Sequence, residues 1–132
     1  MLVDAAGGFK AEPEKIISGG PMMGQALFSL DIPVMKNSSA LTCFVKDEVA
    51  TSPETPCIRC GRCVEVCPGH VVPQLMADAA ARHDLALFEK LNGMECCECG
   101  SCTFICPAHR PLTQAFKEMR KAVMAERRKK KA

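Results

Sequence analysis

"CIRCGRCVEVCPGH" at 57–70 and "CCECGSCTFICPAH" at 96–109 decide how this chain is built. A shift of 39 residues lays Cys57, Cys60, Gly61, Cys63, Cys67, Pro68 and His70 on Cys96, Cys99, Gly100, Cys102, Cys106, Pro107 and His109. Seven coincidences in fourteen positions are more than composition produces, so the second half of the chain repeats itself. In each copy the aligned thiols follow at intervals of three, three and four, with a proline behind the last.

That spacing points to iron-sulfur chemistry. A 4Fe-4S cube offers one iron at each of four corners, and each iron takes one thiolate. Three cysteines of a Cys-x2-Cys-x2-Cys loop can hold three corners, while the fourth, followed by proline, reaches the other cluster in two-cluster proteins. The spacing therefore predicts two 4Fe-4S clusters with exchanged ligands. One falls to Cys57, Cys60, Cys63 and Cys106, the other to Cys96, Cys99, Cys102 and Cys67. The proline is expected to break the turn and redirect the chain into the next helix. Gly61 and Gly100 are expected to let the backbone approach inorganic sulfide. Structural zinc is the alternative, since it also uses Cys-x2-Cys pairs. Zinc sites pair them two and two across a longer gap, so three-plus-one, twice, favours iron-sulfur. Of the remaining cysteines, Cys97 replaces Ile58 of the first copy and reads as a packed thiol beside a ligand. Cys43 reads as a small core residue. His70 and His109 read as polar turn residues ahead of a helix, and His83 receives no role.

The whole composition agrees with reduced thiols. The 132 residues include ten Cys but no Trp or Tyr, so a core must rest on Ala, Val, Leu and Met. A secreted disulfide scaffold would need a signal sequence, and Asp4, Gly7, Gly8 and Lys10 interrupt the start "MLVDAAGGFKAEPEK". No stretch reaches the roughly 18 apolar residues of a membrane span. Charge is uneven: from Lys117 onward eight Lys and Arg stand against Glu118 and Glu126, a balance of +6, leaving residues 1–116 at −4.

Three textures divide the chain. Residues 1–50 hold Gly-rich turns and β-prone runs at 15–20, 32–35 and 40–45. "TSPETP" at 51–56 reads as a linker, and the cysteine-rich part, 51–132 with its linker, follows. Pro73 and Pro111 suit first helical positions, and a turn near His83-Asp84 divides the first helical run in two before Asn92-Gly93 stops it. Leu112, Ala115, Phe116, Met119 and Val123 share one face of the last helix. No acid, base or nucleophile is placed for catalysis, and the Gly pairs at 7–8 and 19–20 match no dinucleotide fingerprint. What remains is one-electron transfer between two neighbouring centres.

"ISGGPMMG" at 17–24, "DIPVMKNSSAL" at 31–41 and the two cysteine motifs in this order resemble the C subunit of the Rnf complex, a membrane-bound ferredoxin:NAD oxidoreductase that transports sodium or protons. This chain reads "PVMK" where that family more often has Thr before Lys. The resemblance implies a mainly α fold: an α-helical ferredoxin-like domain with two 4Fe-4S clusters over 51–132, preceded by a partial β-grasp (SLBB) segment over 1–50. The rival is the small β-hairpin-rich ferredoxin fold. FMN and NAD are expected only in an upstream domain absent here, so neither site falls on any residue of this chain. The resemblance further implies an electron relay at the cytoplasmic face of the cell membrane, bound peripherally through other subunits. Ferredoxin would be an indirect partner, and the basic tail would aid contact with the membrane. The alternative is the iron-sulfur relay of a microcompartment cobalamin reductase, which shares these segments. A nucleic-acid binder using "ERRKKK" is the third reading, but basic residues at a helix C-terminus complement its dipole, and no nucleic acid is expected.

Overall fold

The structure is a computed structural model that describes residues 2–49 and 51–130. The chain divides into two compact units, Met1–Ser52 and Pro53–Ala132.

The first unit is a three-stranded antiparallel sheet in the order β2-β1-β3, with β1 at Lys15–Ser18, β2 at Gln25–Leu27 and β3 at Leu41–Phe44. Ile17 pairs with Ala26 on one side and Thr42 on the other. Among the described residues of this unit the one short helix is α1, Leu2–Ala5. Runs 15–20 and 40–45 do contain strands. Run 32–35 does not: Pro33 has no N–H for a ladder, and Ile32, Val34 and Met35 are exposed. β2 forms instead, from Gln-Ala-Leu, residues with little β preference, because the turn closed by the Gly24 amide on the Gly20 carbonyl at 2.8 Å returns the chain beside β1. Cys43 is exposed, contrary to the expectation of a core thiol, since β3 is an edge strand.

The second unit is helical among its described residues: α2 Arg62–Glu65, α3 Pro73–Ala81, α4 Leu85–Lys90, a 3-10 turn at Gly93–Glu95, α5 Ser101–Phe104 and α6 Leu112–Lys129. With helices in one unit and a small sheet in the other, the chain as a whole is mixed and does not bear out the mainly α class expected. Pro73 occupies the first turn of α3. His83, with φ 52°, ends it: the His83 amide donates to Ala80 and that of Asp84 to Ala79, the paired bonds of a Schellman stop. Asp84 then caps α4 by accepting the Leu87 amide at 2.9 Å.

Leu112, Phe116, Met119 and Val123 of α6 are buried against Met76, Ala77, Ala79 and Ala80 of α3 and Phe88 of α4. Phe88 and Phe116 meet at 6.2 Å between ring centroids, tilted by 45°. The alanines of α3 let α6 approach closely, which is how an Ala-rich sequence makes a core with so few aromatic side chains. Residues 53–56 belong to this unit: the Thr55 amide donates to the Ala108 carbonyl at 3.0 Å, and Arg110 pairs with Glu54 at 3.4 Å. Half of "TSPETP" is thus tied down.

Candidate metal centre

The repeat in sequence is a repeat in backbone. Left-handed φ values recur in register at Arg59 and Glu98, Gly61 and Gly100, and His70 and His109. Such angles are uncommon outside glycine, so three matched pairs mean that both motifs follow one path. In each loop the second residue after the first cysteine turns its amide back on that sulfur: Arg59 N–H donates to Cys57 Sγ and Glu98 N–H to Cys96 Sγ, both at 3.4 Å. Gly61 and Gly100 then open α2 and α5. A Cβ at Gly61 would meet nothing within 4 Å, so its positive φ, and no crowding by protein atoms, is what calls for glycine there. His70 and His109 sit at the turns behind the prolines, each amide donating to the carbonyl of Cys67 or Cys106 at 3.1 Å. Both are exposed.

Two cavities lie between the motifs. Cys57, Cys60, Cys63 and Cys106 line one, with Arg59, Arg62, Gln74 and Arg110; it holds about 390 Å³ of empty space, part of it open to solvent. Cys67, Cys96, Cys99 and Cys102 line the other, of about 330 Å³, with Cys97, Glu98 and Thr113. In each, three cysteines come from one motif and the fourth from the other. All eight cysteines singled out in the sequence are accounted for, four to a cavity. Among the described residues no three His, Cys, Asp or Glu side chains converge tightly enough to hold a single ion; the sulfurs surround a space.

The cavities differ in setting. Cys57 and Cys60 are exposed, whereas Cys96 and Cys99 are half-buried and Cys102 is buried. Burial pushes the Cys63, Cys96 and Cys102 thiols up, because a thiolate loses water that the protein does not replace. A negative charge on Cys102 adds to the upward shift at Cys63. Cys99 moves down, through its hydrogen bonding with the Ser101 side chain and amide. Four residues were not singled out in the sequence: Ser101, Thr103 and Thr113, whose hydroxyls lie around the second cavity, and Arg120, whose Nη1 pairs with Glu98 at 2.5 Å. Their signal lay where the repeat fails, since Arg62, Val64, Gln74 and Ala81 occupy the matching positions.

Comparison with known proteins places this arrangement. The chain is 46% identical, over 97% of its length, to the C subunit of the Na(+)-translocating ferredoxin:NAD(+) oxidoreductase complex of Acetobacterium woodii. It is 39% identical over 98% of its length to the C subunit of the ion-translocating oxidoreductase complex of Rhodobacter capsulatus. The chain belongs to the Rnf C-subunit family. A third relative, the C subunit of the proton-translocating complex of Clostridium ljungdahlii, is 53% identical over 57% of the chain. These names favour the Rnf family over the cobalamin reductase alternative. No family model matches the chain. The chain spans 29%, 25% and 16% of the length of the three relatives, corresponding to the C-terminal part of the Rnf C subunit. Among its described residues no helix is long and apolar enough to cross a membrane.

Proposed function

We propose that the second unit holds two 4Fe-4S clusters and passes single electrons between them as one stretch of the electron path in an ion-translocating ferredoxin:NAD oxidoreductase. The observation that carries this reading is the three-plus-one lining of both cavities, Cys57, Cys60 and Cys63 with Cys106, and Cys96, Cys99 and Cys102 with Cys67. The donor set fits: four thiols around a space suit a group with four irons, and the backbone amides of residues 59 and 98 already point at sulfur. When bound, such clusters supply one-electron oxidation and reduction, at potentials that hydrogen bonds, charge and solvent exposure set within roughly −700 to +450 mV. The protein's part is to fix the distance between the two sites, which share the α2-α5 contact, and to supply the donors.

The remaining assignments follow from the family. The first unit is the end of a β-grasp (SLBB) segment, and the second is an α-helical ferredoxin-like domain. FMN and NAD belong to an upstream domain, the partners are the other subunits of the complex, and the chain works at the cytoplasmic face of the membrane. Counting iron and acid-labile sulfide after anaerobic purification tests the core of this reading, with about eight of each per chain expected from two four-iron centres. Zinc in place of iron would end it. Crossed ligation has its own test: Cys106→Ser should damage the centre of the first motif, although Cys106 lies in the second. Loss of only the second-motif signal by paramagnetic resonance would refute the pairing.

A further inference from the structure

Around Cys102 the structure holds a hydrogen-bonded chain that its counterpart Cys63 lacks. Thr113, on α6 and buried, places Oγ1 at 3.7 Å from Cys102 Sγ. The same Oγ1 lies 2.8 Å from Thr103 Oγ1, and the Thr113 amide donates to Thr103 Oγ1 at 2.9 Å. Each hydroxyl has one proton to give. If Cys102 is a ligand it is a thiolate and can only accept, so the Thr113 proton points to sulfur. The 2.8 Å contact must then be Thr103 donating to Thr113. The result is a one-way series, from the Thr113 amide to the Thr103 hydroxyl, to the Thr113 hydroxyl, to the Cys102 sulfur. Every hydroxyl donates once and accepts once, and each link polarises the next. In the first copy Val64 and Gln74 stand in place of Thr103 and Thr113, and among the described residues no side chain hydrogen-bonds to Cys63.

Resting on the clusters proposed above, we infer that Thr113 is a positioning residue that makes reduction of the second centre easier by donating a hydrogen bond to Cys102, and that Thr103 holds Thr113 in the donating orientation. Reduction adds one electron, drawn from whichever one-electron donor precedes this site in the complex, and leaves every proton in place. The added negative charge spreads onto the thiolate sulfurs, so a donor aimed at one of them stabilises the reduced form more than the oxidised form. The relay therefore acts on one of two sites whose backbone turns are matched.

The test is a redox titration of the anaerobically purified full chain, followed by paramagnetic resonance, on the parent, Thr113→Val, Thr113→Ser and Thr103→Val. Thr113→Val keeps the shape and removes the hydroxyl. It is expected to shift one of the two reduction equilibria about ten-fold toward the oxidised form, about 59 mV for one electron, and to leave the other unmoved. Thr113→Ser should restore the parent value. Thr103→Val should shift the same centre in the same direction by a smaller factor, and it decides the matter alone if Thr113→Val does not take up iron. Unchanged potentials, an equal shift of both centres, or a serine variant as displaced as the valine one would overturn the relay. A parent chain with no iron and no signal sinks the clusters as well, whereas two intact signals with unmoved potentials sink only the role of Thr113.

Discussion

Phe88 of α4 and Phe116 of α6 meet in the core that α3 also lines, and both are almost wholly buried. Phe88→Ala should cost about 3 to 5 kcal/mol, the usual range for removing a buried ring, and a denaturant melt of the apo-protein would measure it. Gly93 belongs to the same contact: a Cβ there would come within 2.4 Å of the Phe88 ring. The buried thiols make a second prediction. Cys63, Cys96 and Cys102 all have folded-state values raised above the ordinary 9.0, so the folded apo-protein binds more protons than the unfolded chain above that pH. Its stability should be steady below about pH 9 and fall as pH rises further. Cys99, shifted the other way by Ser101, opposes three with one. Thermal melts across this range check the sign, and melting points that climb with pH would contradict it. At this scale the grouping of the proposed ligands was legible because thiols at fixed intervals have few other uses. The hydroxyl relay was not, because Thr103 and Thr113 lie ten residues apart in sequence and meet only once α6 folds back.

Among the elements, the boundary between α3 and α4 is the best explained. Asp84→Ala removes the cap of α4 and should lower stability by about 1 kcal/mol. His83→Gly should raise it by up to about 1 kcal/mol, because glycine adopts the left-handed angle of that position without steric cost. The two variants together test whether this turn, and not helix propensity, sets the break. This boundary and the buried stripe of α6 were readable because periodicity and capping residues are local. The sheet was harder. β2 exists because β1 lies beside it, and Gln25, Ala26 and Leu27 carry no sign of that, while the more apolar run at 32–35 is kept out of the ladder by Pro33 and stays exposed.

Taken whole, the molecule separates a small sheet from a helical unit that contains every proposed ligand. A fragment beginning at Pro53 should therefore retain the iron content of the full chain, as colorimetric iron assay would show. The Thr55 to Ala108 bond and the Arg110 to Glu54 pair fall inside that fragment and are kept. The last turns of α6 suggest a second measurement. Beyond Val123 its residues are exposed, and Arg127, Arg128 and Lys129 gather at its end, with Arg127 paired to Glu89 at 2.6 Å. Neutralising Arg128, Lys129 and Lys130 should weaken association with vesicles of anionic lipid by about 1 kcal/mol per charge, an effect that salt would erase. Flotation with neutral and anionic vesicles checks it.

The interleaved cavities also bear on biosynthesis. Cys106 stands 43 residues beyond Cys63, the last of the three thiols it joins, whereas the set around Cys102 is complete four residues earlier. A nascent chain thus displays an unfinished trio throughout the making of α3 and α4, and neither nest can close until the second motif has emerged. A chain stopped before Cys102 therefore has neither proposed cluster site complete, and one stopped between Cys102 and Cys106 has only the second.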